Sequence, residues 1–161
     1  MTSERVELAL KLIKDCHSKR QWDEFLLKNA DVLASSATPK LINEVFRKLE
    51  SDPQSLNYEP KLWGALLTGA MSCWNIEAGV SVAEFSKKLT IPVVSIPASQ
   101  VLLEAGKPGL SREFAQRALR LASISDLERI QLKLIVASSF AEEGKTEHAV
   151  RVLEKVTALV R

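Results

Sequence analysis

The chain has 161 residues, 46% hydrophobic and 26% charged, enough apolar material for one domain that buries about 70% of its unfolded surface without a metal or disulfide staple. Its formal net charge is +2: residues 1–106 carry 12 basic and 13 acidic side chains and residues 107–161 carry 10 and 7, an excess too small to demand a polyanionic partner. Cys16 and Cys73 stand far apart with no further thiol at metal-ligand spacing, which argues against a disulfide framework or zinc site and for a reducing, cytoplasmic setting.

No apolar run reaches the roughly 18 residues of a membrane span. The N-terminus mixes Glu4, Glu7 and Asp15 with its basic residues, unlike a presequence. Recruitment to a membrane is left to a partner or to a segment beyond Arg161.

In chain order, Val6, Ala9, Leu10, Ile13 and Cys16 predict a first helix from about Ser3 to Ser18, with Thr2 or Ser3 as cap. Trp22, Phe25, Leu26, Asn29 and Leu33 write a second amphipathic helix that forms a hairpin with it. Thr38 and Pro39 are a cap and first-turn proline for a third, with Leu41, Ile42, Val45, Phe46 and Leu49 inward and an end near Glu50. After the Ser51-Asp52-Pro53 turn, Pro60 opens a strongly apolar helix through Leu62, Trp63, Leu66, Leu67, Ala70, Met71 and Trp74.

Gly79 weakens the next helix, and Ser81 with Glu84 reads as a capping box leading into Phe85 and Leu89. Ile91 to Pro97, with two prolines, reads as an extended connector, so that Pro97 begins a sixth helix stopped by Gly106 and Pro108. Ser111 caps a helix with Phe114, Ala115, Ala118, Leu119 and Ala122 inward. Ser125 and Glu128 box a helix carrying Leu127, Ile130, Leu134, Ala137 and Phe140. Gly144 ends it, and Thr146 caps a last helix with Ala149, Val150, Leu153 and Val156 inward. The expected fold is all-α, about eight or nine helices in a single domain spanning 1–161, with N-terminal helices in 1–50 and hairpins in 60–161.

A 34-residue period matches Ala115 to Ala149, Arg117 to Arg151, Leu119 to Leu153 and Ala122 to Val156. On these residues, together with Ala137, Phe140 and Gly144, the segment 111–160 resembles the tetratricopeptide-repeat superfamily. It departs from the family at Lys133, where an aromatic is usual, and at Leu110, where a turn glycine is expected. The resemblance implies antiparallel hairpins stacked as a short α-solenoid that binds a partner's helix or peptide. It does not extend to a carboxylate clamp, since the matching positions hold Gln100, Glu104, Leu134 and Ser138.

No motif for nucleotide, calcium or zinc binding or for a nucleophile elbow is present, so no catalytic, cofactor or metal residue is expected. His17 beside Cys16 points about 100° away on a helix and cannot serve as its base; His148, in the first turn of the last helix, reads as solvated. Glu142 and Glu143 read as solvent-side carboxylates.

Trp22 and Trp63 read as core. Trp74, near a helix end, together with the polar-face Arg117, Arg120, Arg151 and Lys155, makes up the candidate partner-binding set. The expected function is a non-catalytic protein-interaction module, an adaptor or subunit of a larger assembly. The alternative is a pentatricopeptide-like RNA-binding module, on a loose resemblance in Trp63–Pro92; Leu134 at a base-reading position and the low net charge count against it.

Overall fold

The computed structural model describes residues 3–160. Among these it is all helical, with nine α-helices: α1 Glu4–Leu12, α2 Lys19–Ser35, α3 Pro39–Glu50, α4 Pro60–Ser72, α5 Ile76–Phe85, α6 Pro92–Glu104, α7 Pro108–Leu119, α8 Asp126–Glu142 and α9 Thr146–Leu159. Single 3-10 turns follow α1 and precede α4.

The N-terminal half follows its sequence signals closely. The Ser3 hydroxyl accepts from Val6 N–H and the Thr38 hydroxyl from Leu41 N–H, satisfying donors that a helix start leaves free. Thr2, the other candidate cap, lies outside the described residues. The predicted stripes of α2 and α3 are all buried. α1 is shorter than expected: it tightens at Ile13 and ends with Cys16 extended. Lys48 of α3 caps that turn, its ammonium donating to the Lys14 carbonyl at 2.7 Å, where a cation meets the negative end of the helix.

α4 is enclosed on several sides. It packs on α2, α3, α5 and α6 and buries Leu62, Trp63, Leu66, Leu67 and Ala70. The Trp63 ring stacks on Phe85 at 5.5 Å and its N–H donates to the Ser55 carbonyl at 3.2 Å; Phe46 meets Phe85 edge-on at 5.7 Å. Two glycines of α4 face backbone. A Cβ on Gly69 would collide with the Leu33 carbonyl at the end of α2, and one on Gly64 with the Val93 carbonyl of α6.

That second contact explains the main correction to the expected elements. α6 starts at Pro92, so residues 91–97 are no extended connector, and Pro97 lies inside the helix. Pro97 has no N–H to give the carbonyl four residues back, that of Val93, which instead sits against the Gly64 backbone of α4. Burial of Val94, Pro97, Ala98, Val101 and Leu102 offsets the local penalty.

Three caps are corrected because Asn75, Lys107 and Lys145 stand at the helix starts. α5 runs from Ile76 through Ser81, whose hydroxyl donates to the Glu77 carbonyl, so no capping box with Glu84 forms. Pro108 opens α7 instead of only stopping α6. Ser111 therefore lies within α7, fully buried, donating to the Ser99 carbonyl of α6 at 2.7 Å. Thr146 is the first residue of α9 and makes no cap bond. The Ser125–Glu128 capping box of α8 forms as expected.

α2, α4, α6 and α8 make one row, each packed on the next; α1, α3 and α5 make a second. One apolar cluster runs from Val6 to Phe114, and a smaller one joins Ala115, Ala118, Ile124, Leu132, Ile135 and Val136.

Candidate interaction surfaces

Three hairpin turns share one conformation. Trp74, Gly106 and Gly144 have φ of 59°, 73° and 75°. In each turn the following N–H reaches back to a carbonyl of the preceding helix, Asn75 to Ala70 at 2.8 Å, Lys107 to Leu102 at 2.9 Å and Lys145 to Phe140 at 2.8 Å. These are Schellman turns, whose left-handed position favours glycine. They make α4–α5, α6–α7 and α8–α9 equivalent hairpins.

The equivalence corrects the 34-residue register. Counted from the turns, Ala149 corresponds to buried Gly79 and Ser111, while Ala115 corresponds to Ala83 and Leu153, one helical turn further on. Arg117 likewise corresponds to Lys155, and Ala122 lies past the end of α7. The turns are 32 and then 38 residues apart, Trp74 to Gly106 and Gly106 to Gly144, because α7 and α8 are longer than their counterparts α5 and α6.

Trp74 occupies the glycine position of the first turn with 79% of its surface exposed. An L-residue in this conformation costs about 1–2 kcal/mol, and the exposed indole recovers nothing by burial. Asn75 braces the turn, its amide donating to the Asn43 side chain of α3 at 2.9 Å.

The basic members of the predicted set are not gathered around Trp74. Arg120 follows α7 at the end of the hairpin away from its turn, and Arg151 and Lys155 are exposed on α9, Arg151 lying 3.9 Å from Glu147. Arg117 is not solvent-facing as expected: its guanidinium sits 4.7 Å over the Phe114 ring and its Nε is buried without a partner. Nor is Glu143 a free surface carboxylate. It pairs with Arg112 of α7, which also donates to Ser139 and lies 4.2 Å over Phe140, and the guanidinium holds the carboxyl below its usual range.

The surface that the sequence reading missed is apolar. In α8 the buried residues are Leu132, Ile135, Val136, Ala137 and Ser139, whereas Leu127 and Leu134, of the apolar set read from the sequence, are exposed. In α9 only Ala149 and Val156 are buried, and Val150 and Leu153, expected inward, are exposed. The outward row of α8 is Leu127, Gln131, Leu134, Ser138 and Ala141; that of α9 is Val150, Leu153, Thr157 and Val160. At helical spacing each row occupies one side of its helix.

The equivalent hairpins show what these positions face. Ten residues before the turn, Leu134 corresponds to Gly64, which meets α6, and to Ile96, which packs on the cluster containing Leu132 and Val136 of α8. Six and nine residues after it, Val150 and Leu153 correspond to Arg112, bonded to Ser139 and Glu143 of α8, and to Ala115 of that same cluster. In the earlier hairpins this side is covered by the next row helix; on α8–α9 it is bare. An apolar stripe too wide for one neighbour was the signal in the sequence.

The described residues contain no group of three or more metal-ligating side chains. Cys16 is buried, 3.5 Å from the Leu12 carbonyl, and burial pushes its thiol up, the reverse of an activated nucleophile. No helix among the described residues is long and apolar enough to cross a membrane. Fold and surface together define an all-α protein of helical hairpins with an uncovered apolar side on its last pair. No protein family, curated protein or solved structure matches this chain.

Proposed function

We propose that the protein is a non-catalytic interaction module, an adaptor or subunit of a larger assembly, built as a short tetratricopeptide-like stack of hairpins that receives a helical surface of another protein on α8–α9. The observation that carries this reading is the bare side of Leu134, Val150 and Leu153 at positions that the preceding hairpins cover with their next row helix. A contiguous apolar surface of this kind on a soluble domain marks an association site. The strained, exposed Trp74 supports the same class of function at a second place, since aromatic anchors dominate interface energetics. The two unpaired cysteines fit a reducing, cytoplasmic setting.

The test is affinity capture with the intact chain beside a Leu134→Glu/Leu153→Glu variant. A recurrent protein partner held by the wild type and lost from the variant, with helical circular dichroism equal in both, supports the reading. Recovery of single-stranded RNA, released steeply by salt, would overturn it in favour of nucleic-acid binding.

A further inference from the structure

Resting on the interaction reading, we propose that the outer face of α3, with Trp74 at one end, is a second docking site, and that it takes a short, extended acidic segment of a partner protein. Lys40, Asn43, Glu44, Arg47, Lys48 and Ser51 recur at helical spacing along one face of α3 and its end. They line two open depressions that share Glu44 and Arg47. One, of about 410 Å³, holds Lys40 and Asn43; the other, of about 490 Å³, is walled by Ile13 and Lys14 of the turn after α1. The α4–α5 turn meets the first of these. The Asn75 amide donates to the Asn43 side chain at 2.9 Å and to the Pro39 carbonyl at 3.4 Å, which fixes the adjoining Trp74, left-handed and exposed, beside the first turn of α3.

Charge selects the partner. The lining side chains include four cations, Lys14, Lys40, Arg47 and Lys48, against one carboxylate, in a chain whose totals are 22 and 20. Lys48 donates to a main-chain carbonyl, and among the described residues Lys14, Lys40 and Arg47 have no carboxylate partner. Exposed Glu7 of α1 and Glu77 of α5 line neither depression. Neighbouring cations repel one another, and carboxylates seated among them turn that repulsion into attraction.

Glu44, where the two depressions meet, discriminates between anions. A nucleic-acid strand carries a phosphate on every nucleotide and would set one against this carboxylate, whereas a peptide can place a neutral residue there and acids on either side. A bilayer surface is flat, and these cations line recesses. Lys40 and Arg47 are seven residues apart on one face, about 10 Å along the helix, so acids about three residues apart in an extended peptide reach both. The Trp74 indole then meets an apolar or proline residue at the Lys40 end. This face belongs to α3, outside the three equivalent hairpins.

The test is selection of random octapeptides displayed on phage against the purified full chain, with counter-selection on a Lys40→Glu/Arg47→Glu variant. The expected peptides carry two or more Asp or Glu about three residues apart, next to an aromatic or proline residue. Synthesised, they should shield Trp74 from acrylamide quenching, to which the buried Trp22 and Trp63 are far less accessible. Lys40→Glu/Arg47→Glu should weaken them at least tenfold and Trp74→Gly at least threefold, with helical circular dichroism unchanged because all three residues are exposed. Arg151→Glu/Lys155→Glu, on α9, should leave binding unchanged. An empty or non-acidic differential set overturns the proposal, as does an acidic set indifferent to Trp74. Tighter binding of polyuridylate or phosphatidylserine vesicles than of the selected peptides, lost in the Lys40→Glu/Arg47→Glu variant, also overturns it. The proposed function is judged separately, on whether the captured partner depends on Leu134 and Leu153.

Discussion

The α4–α5 hairpin and the α8–α9 hairpin share a turn, but they use their apolar residues in opposite ways. α4 is enclosed by α2, α3, α5 and α6, and its leucines and Trp63 have no exposed surface. α9 packs mainly on α8, buries Ala149 and Val156, and leaves Val150, Leu153 and Val160 exposed. An apolar side chain stabilises the fold only where a neighbour removes it from water. The first hairpin has neighbours on both sides in the row, the last on one. Stability is therefore concentrated toward the N-terminal half and association potential toward the C-terminal end.

The comparison breaks most directly at its aromatic centre. Trp63→Ala removes the stack on Phe85 and the bond to the Ser55 carbonyl, and should cost about 3–5 kcal/mol in urea unfolding. Val156→Ala, at a buried residue of the last hairpin, should cost about 1 kcal/mol, because its surroundings are open enough to relax. Equal losses would show that the hairpins are equally coupled to the core and that the contrast is wrong.

A smaller effect is expected where α7 and α8 are tied by charge. Arg112 holds the Glu143 carboxyl below its usual range, so the native state favours the ionised form. Its contribution is fully present above the ordinary glutamate pKa and is lost as pH falls through the depressed native value. Arg112→Ala should lower the melting temperature at neutral pH by less than Trp63→Ala does, and should flatten the acid limb of stability against pH. An unaltered acid limb would remove this pair from the account. At the opposite extreme of pH, burial and the bond to Asp52 push Tyr58 up to about 12. The native state thus favours its neutral form, and stability should fall as pH rises from the ordinary tyrosine value toward 12, a fall that Tyr58→Phe should lessen.

The smallest effect bears on what Trp74 is for. Trp74→Gly relieves a left-handed tryptophan in a turn whose two counterparts have glycine there, and should leave stability unchanged or raise it by up to about 1 kcal/mol. The same substitution should weaken a captured partner that touches this turn. A clear loss of stability instead would mean that the indole packs in solution and that its exposure was misjudged.

Much of the fold could be read from local residues. Thr38 with Pro39, the stripe Trp22–Phe25–Leu26–Asn29–Leu33 and the Ser125–Glu128 box each contain their whole signal within a few residues, and each forms. Ser81, Ser111 and Thr146 carry the same local signal and do not act as caps, because Asn75, Lys107 and Lys145 of the turns stand at the helix starts. The candidate surfaces were less legible. Trp74 could be singled out from its place near a helix end, whereas Val150 and Leu153 read as inward, because spacing cannot say which half of a wide stripe has a neighbour.

Sequence by itself determined what each segment can do alone: that it is helical, which arc is apolar, and where glycine or a proline at the first helical position marks a boundary. Those properties arise from backbone propensity, capping and side-chain periodicity, all of which act within one or two turns. Tertiary structure alone decided the rest. It kept Pro97 inside α6 by lodging the freed Val93 carbonyl against Gly64, and set the repeat register by turn geometry in place of residue spacing. It also left one side of α8–α9 bare. The Val93–Gly64 contact and the bare side depend on which neighbour arrives from 20 or more residues away, and burial is a property of that pairing, not of the helix that carries the side chain.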